Sequence, residues 1–224
     1  MNSPLDFPPV TARWIDLLTA QQQARVQRDL SLERVAAGAL VERKGDLAHV
    51  WLGVVEGLVK ISVGNPDGRL VSFTGIPTGG WLGEGSLLKR EHRRYDVVAL
   101  RDSVIARLPG ATFDWLLDTS IPFNRYLLVL LNERVAQFIG RAEYRLLGPD
   151  ARVARHLAEL FNPVLYPGTG RRLAITQEEL GYLTGVSRQR VNQALRRLEA
   201  AGLVSVVYGA LEVIDLEGLK QYTG

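Results

Sequence analysis

Between Ser187 and Ala200 the chain carries polar side chains whose types and spacing suit contacts with DNA bases. They are Arg188, Gln189, Asn192, Gln193 and Arg196. These positions are i, i+1, i+4, i+5 and i+8, and a helix would place them on one face. Arginine pairs with guanine through two hydrogen bonds, and asparagine or glutamine pairs with adenine in the same way. A solvated face usually mixes Glu with Lys, whereas this segment has four Arg and one Glu, which favours base recognition over an ordinary amphipathic helix.

Capping signals predict two short helices around this set. Thr176 and Glu179 form a T-x-x-E capping box that starts a first helix. The turn at Gly185 ends that helix, Ser187 can cap a second one, and Gly202 suits the position just after the second helix. The second helix would turn an apolar side toward a core through Val191, Ala194, Leu195 and Leu198. Two helices joined by a short turn containing glycine constitute a helix-turn-helix.

The helix-turn-helix gives its polar residues different roles. The N-terminal end of the second helix enters the major groove, so Arg188 and Gln189 are the first candidates for base contacts. Asn192 and Gln193 are the next candidates, one helical turn later. Phosphate contacts are expected from Ser187, Arg190 and the turn at Tyr208-Gly209. This turn joins two predicted strands that would form a wing beside the helices. A dimer of such units would bind a palindrome whose half-sites lie about one helical turn apart.

Composition limits the classes of protein that remain. The net charge is only +3, so any nucleic-acid contact must be local. The absence of cysteine excludes disulfides, thiolate zinc sites, cysteine-bound iron–sulfur clusters and thiol redox sensing. No apolar run approaches the roughly 20 residues that span a bilayer. The N-terminal sequence lacks the basic and apolar regions of a secretory leader. We therefore expect a cytoplasmic protein without a membrane partner.

The region from Val35 to Leu108 has the pattern of short strands separated by turns. Apolar residues alternate along three segments, at 50–54, 59–63 and 71–73. A further strand region covers 96–108, and Asn65-Pro66-Asp67-Gly68 is typical of a turn. Nine glycines lie between Gly53 and Gly85, which is too many for helices. Short strands with frequent turns predict a sandwich, a jelly roll or a barrel.

A glycine-rich segment within this region is a candidate binding site. Its residues, with two arginines that follow, are Gly83, Glu84, Gly85, Ser86, Arg93 and Arg94. The segment could open a short helix whose free N–H groups face an anion, and Glu84 would accept a hydrogen bond from a hydroxyl group. The arginines would add charge-assisted hydrogen bonds to a phosphate. The simpler alternative is that the glycines only serve turns.

A long helix is predicted from Ile121 to about Leu147. One side carries apolar residues at steps of 3, 4, 3 and 4, namely Leu128, Leu131, Val135, Phe138 and Ala142. This spacing is typical of a coiled-coil seam, and helix-turn-helix proteins commonly bind two half-sites as dimers. We therefore expect dimerisation through the seam, with packing of the helix on its own domain as the alternative. Gly148-Pro149-Asp150 ends the helix and marks a linker, and 151–161 is a further amphipathic helix.

Four motifs appear along the chain in a recognisable order. They are Lys44-Gly45-Asp46, Gly83-Glu84-Gly85-Ser86-Leu87, Val97-Val98-Ala99-Leu100 and Val186-Ser187-Arg188-Gln189-Arg190-Val191. With the long helix and the wing, this order resembles the Crp/Fnr family of DNA-binding transcriptional regulators over nearly the whole chain. The resemblance implies an α+β fold with an N-terminal β-roll, jelly-roll-like and similar to cyclic-nucleotide-binding domains. A dimerisation helix and a C-terminal winged helix-turn-helix would follow, with domains at 1–120, 121–148 and 149–224.

The resemblance also implies partners and an effector. The partners would be a second copy of the chain, a palindromic double-stranded operator and RNA polymerase. Glu84 matches the ribose-binding acid of the family, and Arg93 matches its phosphate-binding arginine. Arg94 stands where members that bind cyclic AMP have Ser or Thr, and Tyr95 stands where they have Ala. We therefore expect weak binding of cyclic AMP, and an effector that is another anionic small molecule or nucleotide.

The same residues leave two alternatives to an effector-controlled regulator. The protein could be a constitutive DNA-binding regulator with a ligand-free scaffold β-roll, in which Arg94 pairs with a carboxylate such as Asp96 or Glu84. An enzyme on a cupin-like roll would need clustered histidines and a carboxylate around a metal. The roll region has only His49 and His92, without a matching spacing, and no G-x-S-x-G or P-loop pattern occurs. We therefore expect no catalysis, no bound metal and no required cofactor.

Overall fold

The structure, a computed structural model, describes residues 7–10, 12–64, 70–144, 146–207 and 209–224. The predicted turn at 65–68 and Tyr208 of the wing turn lie outside the described residues. A strand-rich N-terminal part leads into a long helix, and a smaller unit of helices and a three-stranded sheet follows. The predicted α+β fold with an N-terminal β-roll is confirmed. No helix among the described residues is both long enough and apolar enough to cross a membrane.

The N-terminal part consists of two antiparallel sheets with helices before and after them. Its elements are α1 (Arg13–Asp16), α2 (Ala20–Asp29), β1 (Ser31–Val35), β2 (Leu40–Glu42), β3 (Val50–Glu56), β4 (Leu58–Gly64), β5 (Leu70–Pro77), β6 (Trp81–Leu82), α3 (Glu84–Leu88), β7 (Asp96–Ala99), β8 (Ser103–Pro109) and α4 (Gly110–Thr119). The strand orders are β1-β8-β3-β6 and β2-β7-β4-β5. This pair of sheets is the predicted β-roll.

The strand region predicted at 96–108 is two strands in different sheets. β7 pairs with β2 and β4, whereas β8 pairs with β1 and β3. The chain turns between them, where the Asp102 side chain accepts a hydrogen bond from the Ala37 N–H group (2.9 Å). The polar run at 101–103 is the signal for this turn, because it interrupts two apolar stretches that would otherwise read as one strand.

Aromatic rings form the centre of the β-roll core. Trp14, Trp51 and Trp81 are buried, and their ring centroids lie 4.5–5.2 Å apart. Phe123 packs at 5.5 Å from Trp14 and at 5.7 Å from Trp51, so the cluster also anchors the start of the long helix. A Cβ atom at Gly53 would lie 2.6 Å from the Trp81 ring. Glycine is therefore required on β3 where this ring crosses the strand.

The long helix α5 (Ile121–Tyr144) carries two different faces over its length of about 36 Å. Phe123, Leu127 and Leu130 are buried against the roll. The five residues of the predicted seam lie on another face. Leu128, Val135, Phe138 and Ala142 are exposed there, and Leu131 is half-buried. The helix therefore packs on its own domain and still presents a separate apolar face.

The C-terminal unit has its own core. Its elements are α6 (Pro149–Glu159), β9 (Arg172–Ala174), α7 (Gln177–Thr184), α8 (Arg188–Ala200), β10 (Val204–Val207), β11 (Ala210–Val213) and α9 (Leu216–Gln221). β9 and α9 were not predicted from the sequence, because each is too short to show a hydrophobic period. Leu157, Leu195, Leu198 and Leu219 are among the buried residues that join the helices.

Candidate nucleic-acid interface and effector cradle

Side-chain caps hold both helices of the helix-turn-helix in place. The Thr176 hydroxyl accepts a hydrogen bond from the Glu179 N–H group (3.2 Å), and the Glu179 carboxylate accepts one from the Thr176 N–H group (2.6 Å). Gly185 ends α7 in the left-handed conformation, with φ 66°. The Ser187 hydroxyl then accepts a hydrogen bond from the Arg190 N–H group (3.3 Å) and starts α8. These are the caps that the sequence predicts.

Close packing buries one side of α8 and leaves the other free. The buried residues are those predicted, Val191, Ala194, Leu195 and Leu198. On α7, a Cβ atom at Gly181 would lie 2.9 Å from the Val186 carbonyl oxygen. Glycine therefore lets the turn between the helices fold back closely onto α7. This contact fixes the direction in which the N-terminal end of α8 projects.

The exposed face of α8 brings together the predicted base-reading residues. Arg188, Gln189 and Gln193 are exposed, and Asn192 is half-buried. The Asn192 amide donates a hydrogen bond to Gln177 Oε1 on α7 (2.9 Å), which orients it from the side. Three of the four side chains are therefore open to a ligand, and the fourth is held next to them. Their contacts with bases remain a prediction.

Arg190 makes an ion pair and a hydrogen bond that the sequence does not predict. Its Nη2 atom lies 3.3 Å from Asp150 Oδ1, and its Nη1 atom donates a hydrogen bond to Gln193 Oε1 (2.9 Å). Arg197 also pairs with Asp150, which is buried in the first turn of α6. The sequence predicts a linker at Asp150, but this residue lies in α6, and no local pattern links it to residues on α8. Arg190 therefore helps to fix α8 to α6.

The predicted wing is present next to Arg188. β10 and β11 pair in antiparallel register, and β9 pairs along the other edge of β11. A groove of about 730 Å³ is lined by Arg188 and Gln177 on the helical side and by Val206 and Gly209 on the side of the wing. The N-terminal end of α8 and the wing therefore border one open groove.

The glycine-rich segment forms the expected short helix within the roll. Gly83 precedes α3 with φ 94°, and a Cβ atom there would lie 2.1 Å from Arg93 Nη1. Glu84 and Ser86 are buried, and Gly85 is half-buried. The structure therefore brings Arg93 against the segment that the sequence predicts it to join. We call Gly83–Ser86 with Arg93 the cradle.

Groups of the protein already occupy the hydrogen-bond donors of Arg93. Its side chain has no exposed surface. Nη2 donates to the Val50 carbonyl oxygen (2.6 Å), Nε to Glu42 Oε2 (3.3 Å) and Nη1 to the Gly83 carbonyl oxygen (3.5 Å). Glu42 also pairs with Arg107 (2.5 Å). An anion in the cradle would have to compete with these partners for the guanidinium.

Arg94 lies outside the cradle. Its side chain is 70% exposed and makes two hydrogen bonds of 2.9 Å to the Glu91 carboxylate. Arg94 therefore pairs with a carboxylate, as the scaffold alternative expects, but the partner is the neighbouring Glu91 and not Asp96 or Glu84. Tyr95 instead points inward. Burial, followed by the charge of Glu84, raises the pKa of Tyr95 to about 12.

Arg134 on α5 is a cradle neighbour that sequence reasoning missed. It is buried, and its Nη2 atom donates to the Trp81 carbonyl oxygen (2.6 Å) while Nη1 donates to the Tyr166 hydroxyl (3.1 Å). Its Nε atom lies 3.9 Å from Glu84 Oε1. The available signal was spacing, because Arg134 continues the buried stripe of Leu127 and Leu130. A cation from the long helix therefore faces the acid of the cradle.

Polar and apolar contacts dock the C-terminal unit on the roll. Arg101 makes a bidentate ion pair with Glu179 on α7, with distances of 2.5 and 2.9 Å. The Lys60 ammonium lies 4.9 Å from the centroid of the Tyr182 ring. A Cβ atom at Gly75 on β5 would lie 2.7 Å from a Leu183 methyl group. The helix α7, which precedes α8, is thus held directly against the sheet.

Comparisons with known proteins match both parts of the chain. Residues 151–222 match the family model of Crp-like helix-turn-helix domains, and residues 32–120 match that of cyclic nucleotide-binding domains. The transcriptional regulator LdrP of Thermus thermophilus is 25% identical over 86% of this chain and 97% of its own. The HTH-type transcriptional regulator Cmr of Mycobacterium tuberculosis is 29% identical over 85% of this chain and 75% of its own.

Solved structures share the fold. FixK2 from Bradyrhizobium japonicum superposes with a TM-score of 0.67 at 16% identity, over 87% of this chain and 98% of its own. The c-di-GMP responsive regulator CLP of Xanthomonas campestris gives 0.60 at 23% identity, over 87% and 99%. Within the described part of the chain, no group of three or more His, Cys, Asp or Glu side chains could hold a metal ion.

Proposed function

The chain belongs to the Crp/Fnr family of DNA-binding transcriptional regulators, and on that premise we propose that it binds a palindromic double-stranded operator as a homodimer. The observation that carries the proposal is the N-terminal end of α8 beside the wing, where Arg188 and Gln189 are exposed. The exposed apolar face of α5 supports pairing of two copies. We propose RNA polymerase as a further partner. We also propose that the regulator acts in the cytoplasm and has no catalytic activity.

Arg188 and the residues one turn later are proposed as the base readers. Replacing Arg188 with alanine should cost about 1–3 kcal/mol on the operator and relax preference at one base pair, because the bidentate contact to guanine is lost. Arg188 is exposed, so the fold should not suffer. Fluorescence anisotropy on the operator and on its single-base variants, at several salt concentrations, measures both effects.

Arg196→Ala is the matched control for this experiment. Arg196 is also an exposed arginine of α8, but it lies farther from the end that enters the groove. Although Arg196 shares the polar face with the predicted base readers, this distance should keep it from a base edge, so its loss should leave the preference among sequences unchanged. If Arg188→Ala instead weakened every sequence equally, Arg188 would not be a base reader, and Gln189 or Gln193 would take its place. Arg190→Ala is a poorer control, because it also removes the contact with Asp150.

Ser187 and Arg190 are proposed as phosphate contacts, together with the wing near Gly209. Arg190 keeps 32% of its side-chain surface exposed despite its pair with Asp150. Phosphate contacts set the position of the protein on the duplex without reading its sequence. The pair with Asp150 supports this role, since it holds the guanidinium in one orientation.

Control by an effector in the cradle is a separate question. The internal partners of Arg93 and the outward position of Arg94 support the alternative in which the roll is a ligand-free scaffold. The buried Glu84 Oε2 atom has no hydrogen-bond partner among the described residues, which supports an anionic or nucleotide effector that offers a hydroxyl group. Titration calorimetry with cyclic AMP should give a Kd weaker than about 1 μM, because Tyr95 occupies the side of the cradle. Tighter binding would contradict this expectation.

A further inference from the structure

A groove of about 450 Å³ lies on the side of α5 that faces away from the predicted seam, and its volume is within the range of small-molecule sites. Its walls are α5, α6, the loop that follows α6, and α9. On α5 it is lined by Gln137 and Gly140, each two positions after a seam residue and so about 200° further round the helix. None of its described lining residues belongs to the β-roll, to α7 or to α8. The groove is therefore separate from the cradle, and pairing along the seam would leave it open.

Two buried oxygen atoms among the lining residues accept no hydrogen bond. Gln137 is 7% exposed and the Glu159 side chain is 9% exposed, and the Oε1 atom of each has no partner among the described residues. The Gln137 amide group donates to the Tyr166 hydroxyl and to Glu159 Oε2, both at 3.4 Å, which directs its own oxygen elsewhere. A buried acceptor without a donor is costly. An ammonium group, with three donors and no acceptor, suits two such oxygens.

The Glu159 carboxylate is only partly compensated by the protein. Arg141 pairs with its Oε2 atom. Burial raises the pKa of Glu159, and the charge of Arg141 opposes this shift. Burial, followed by the charge of Glu159, raises the pKa of Tyr144 to about 12, so the Tyr144 hydroxyl beside the carboxylate is neutral at physiological pH. The unpartnered Oε1 atom of Glu159 therefore favours a further cation.

Arg155 supplies a positive charge next to these oxygens. It lies four residues before Glu159, so the two side chains are neighbours on one side of α6. It makes no ion pair with any described residue, and its Nη1 atom donates to the Leu219 carbonyl oxygen (3.3 Å). A guanidinium of this kind binds a carboxylate well. One α-amino acid is therefore able to place its ammonium group at Glu159 and its carboxylate at Arg155.

The remaining charged groups of the groove favour a second cation on the ligand. Glu133 accepts a hydrogen bond from the Asn162 amide (3.0 Å), and Lys220 pairs with Glu217 (2.6 Å). Glu143 lines the groove from α5, is exposed, and has no ion-pair partner in the part of the chain that the structure describes. Its carboxylate is therefore available to a cationic side chain.

From these contacts we infer that the groove binds a basic α-amino acid, such as L-lysine or L-arginine. The α-ammonium group donates to Gln137 Oε1 and Glu159 Oε1. The α-carboxylate binds to Arg155, and the cation of the ligand side chain lies against Glu143. Binding at this groove requires neither the operator nor an occupied cradle, so it can be measured separately from the proposed function.

Titration calorimetry on the full-length protein tests the inference with L-lysine and L-arginine. We expect at least one of them to bind with a Kd below about 100 μM, and the inference is overturned if neither does. L-norleucine and L-norvaline lack the side-chain cation, whereas cadaverine and agmatine lack the carboxylate. Each analogue should bind at least about tenfold more weakly than the amino acid from which it differs. An analogue that binds as tightly would show that the missing group is not recognised, against the inference.

Arg155→Gln locates the carboxylate of the ligand. The variant strands no described carboxylate, so it should keep its melting temperature and lose affinity for the amino acid by about tenfold or more. Arg152→Gln is the matched control, because Arg152 is also on α6 and donates to a carbonyl oxygen, that of Leu147 (3.3 Å), without lining the groove. Unchanged affinity in Arg155→Gln, or an equal loss in both variants, would contradict the site.

Glu143→Gln tests the choice of a basic side chain. Glu143 is exposed, so the fold should not change. The variant should lose affinity for L-lysine or L-arginine by about fivefold or more, while its weak affinity for L-norleucine stays the same, because norleucine has no cation to place there. An equal effect on both kinds of ligand, or no effect on the basic amino acid, would contradict the role of Glu143.

Discussion

Replacing both Leu131 and Val135 with glutamate is expected to convert the proposed homodimer into a folded monomer. These residues lie at the middle of the apolar face of α5, where Leu128 is 68% and Val135 is 54% exposed in a single chain. Two copies that pair along this face would bury four new carboxylates against each other, at a cost of several kcal/mol. Sedimentation velocity should report a monomer. Affinity for the full palindrome should fall to that for one half-site, because the two reading helices are no longer linked.

Two further variants make this result interpretable. Val135→Glu alone changes an exposed side chain. It should therefore weaken the dimer and leave the packing around the half-buried Leu131 unchanged. Ala136→Glu places one glutamate on the exposed flank next to the seam and should leave the dimer intact. Circular dichroism checks that each variant is folded. A double variant that remains dimeric would show that the interface lies elsewhere.

Arg93→Ala is expected to destabilise the β-roll strongly, with or without an effector. The guanidinium is completely buried and bonds to Glu42 and to the Val50 carbonyl oxygen. Removing it leaves the buried Val50 carbonyl oxygen without its donor. The largely buried Glu42 carboxylate also loses one of its two cations and keeps Arg107. Losses of this kind typically cost about 3–5 kcal/mol. Urea denaturation should show the free energy of unfolding reduced by that amount.

Arg94→Ala is the neighbouring control for this stability measurement. Its side chain is 70% exposed and pairs with Glu91 at the surface, so water and salt screen the pair and its loss should leave the free energy of unfolding nearly unchanged. Equal effects of the two substitutions would mean that the internal partners of Arg93 contribute little. The difference also affects ligand studies, because loss of binding in Arg93→Ala could follow from a weakened roll. Glu84→Gln, which keeps the size of the side chain, is the cleaner probe of the cradle.

The parts predicted correctly from the sequence depend on neighbours along the chain. The capping box of Thr176 and Glu179, the Gly185 turn and the Ser187 cap each act over three or four residues. The face of α8 follows from helical spacing alone. The apolar face of α5 was found in the same way, although the same helix also buries a second stripe that includes Leu127.

The contacts that were not predicted join residues far apart in the sequence. Arg134 meets the acid of the cradle from a different element, and Asp150 binds two arginines of α8. Arg93 was expected to await a ligand, and its bonds to Glu42 and the Val50 carbonyl depend on how the two sheets close. Charged residues pair across sequence separations that no local pattern encodes. The sequence therefore identifies the charged groups but not the residues with which they pair.

The tryptophan cluster gives this protein an optical signal of its own. Indole rings with centroids 4.5–5.2 Å apart couple electronically, so Trp14, Trp51 and Trp81 share their excited states rather than absorb independently. Such exciton coupling produces a signed pair of bands in circular dichroism, and its strength depends on the angles between the rings. Phe123 ties the cluster to the first turn of α5. A shift of the long helix against the roll would therefore rotate the rings and change the spectrum of the unlabelled protein, in real time, as it binds a ligand or an operator.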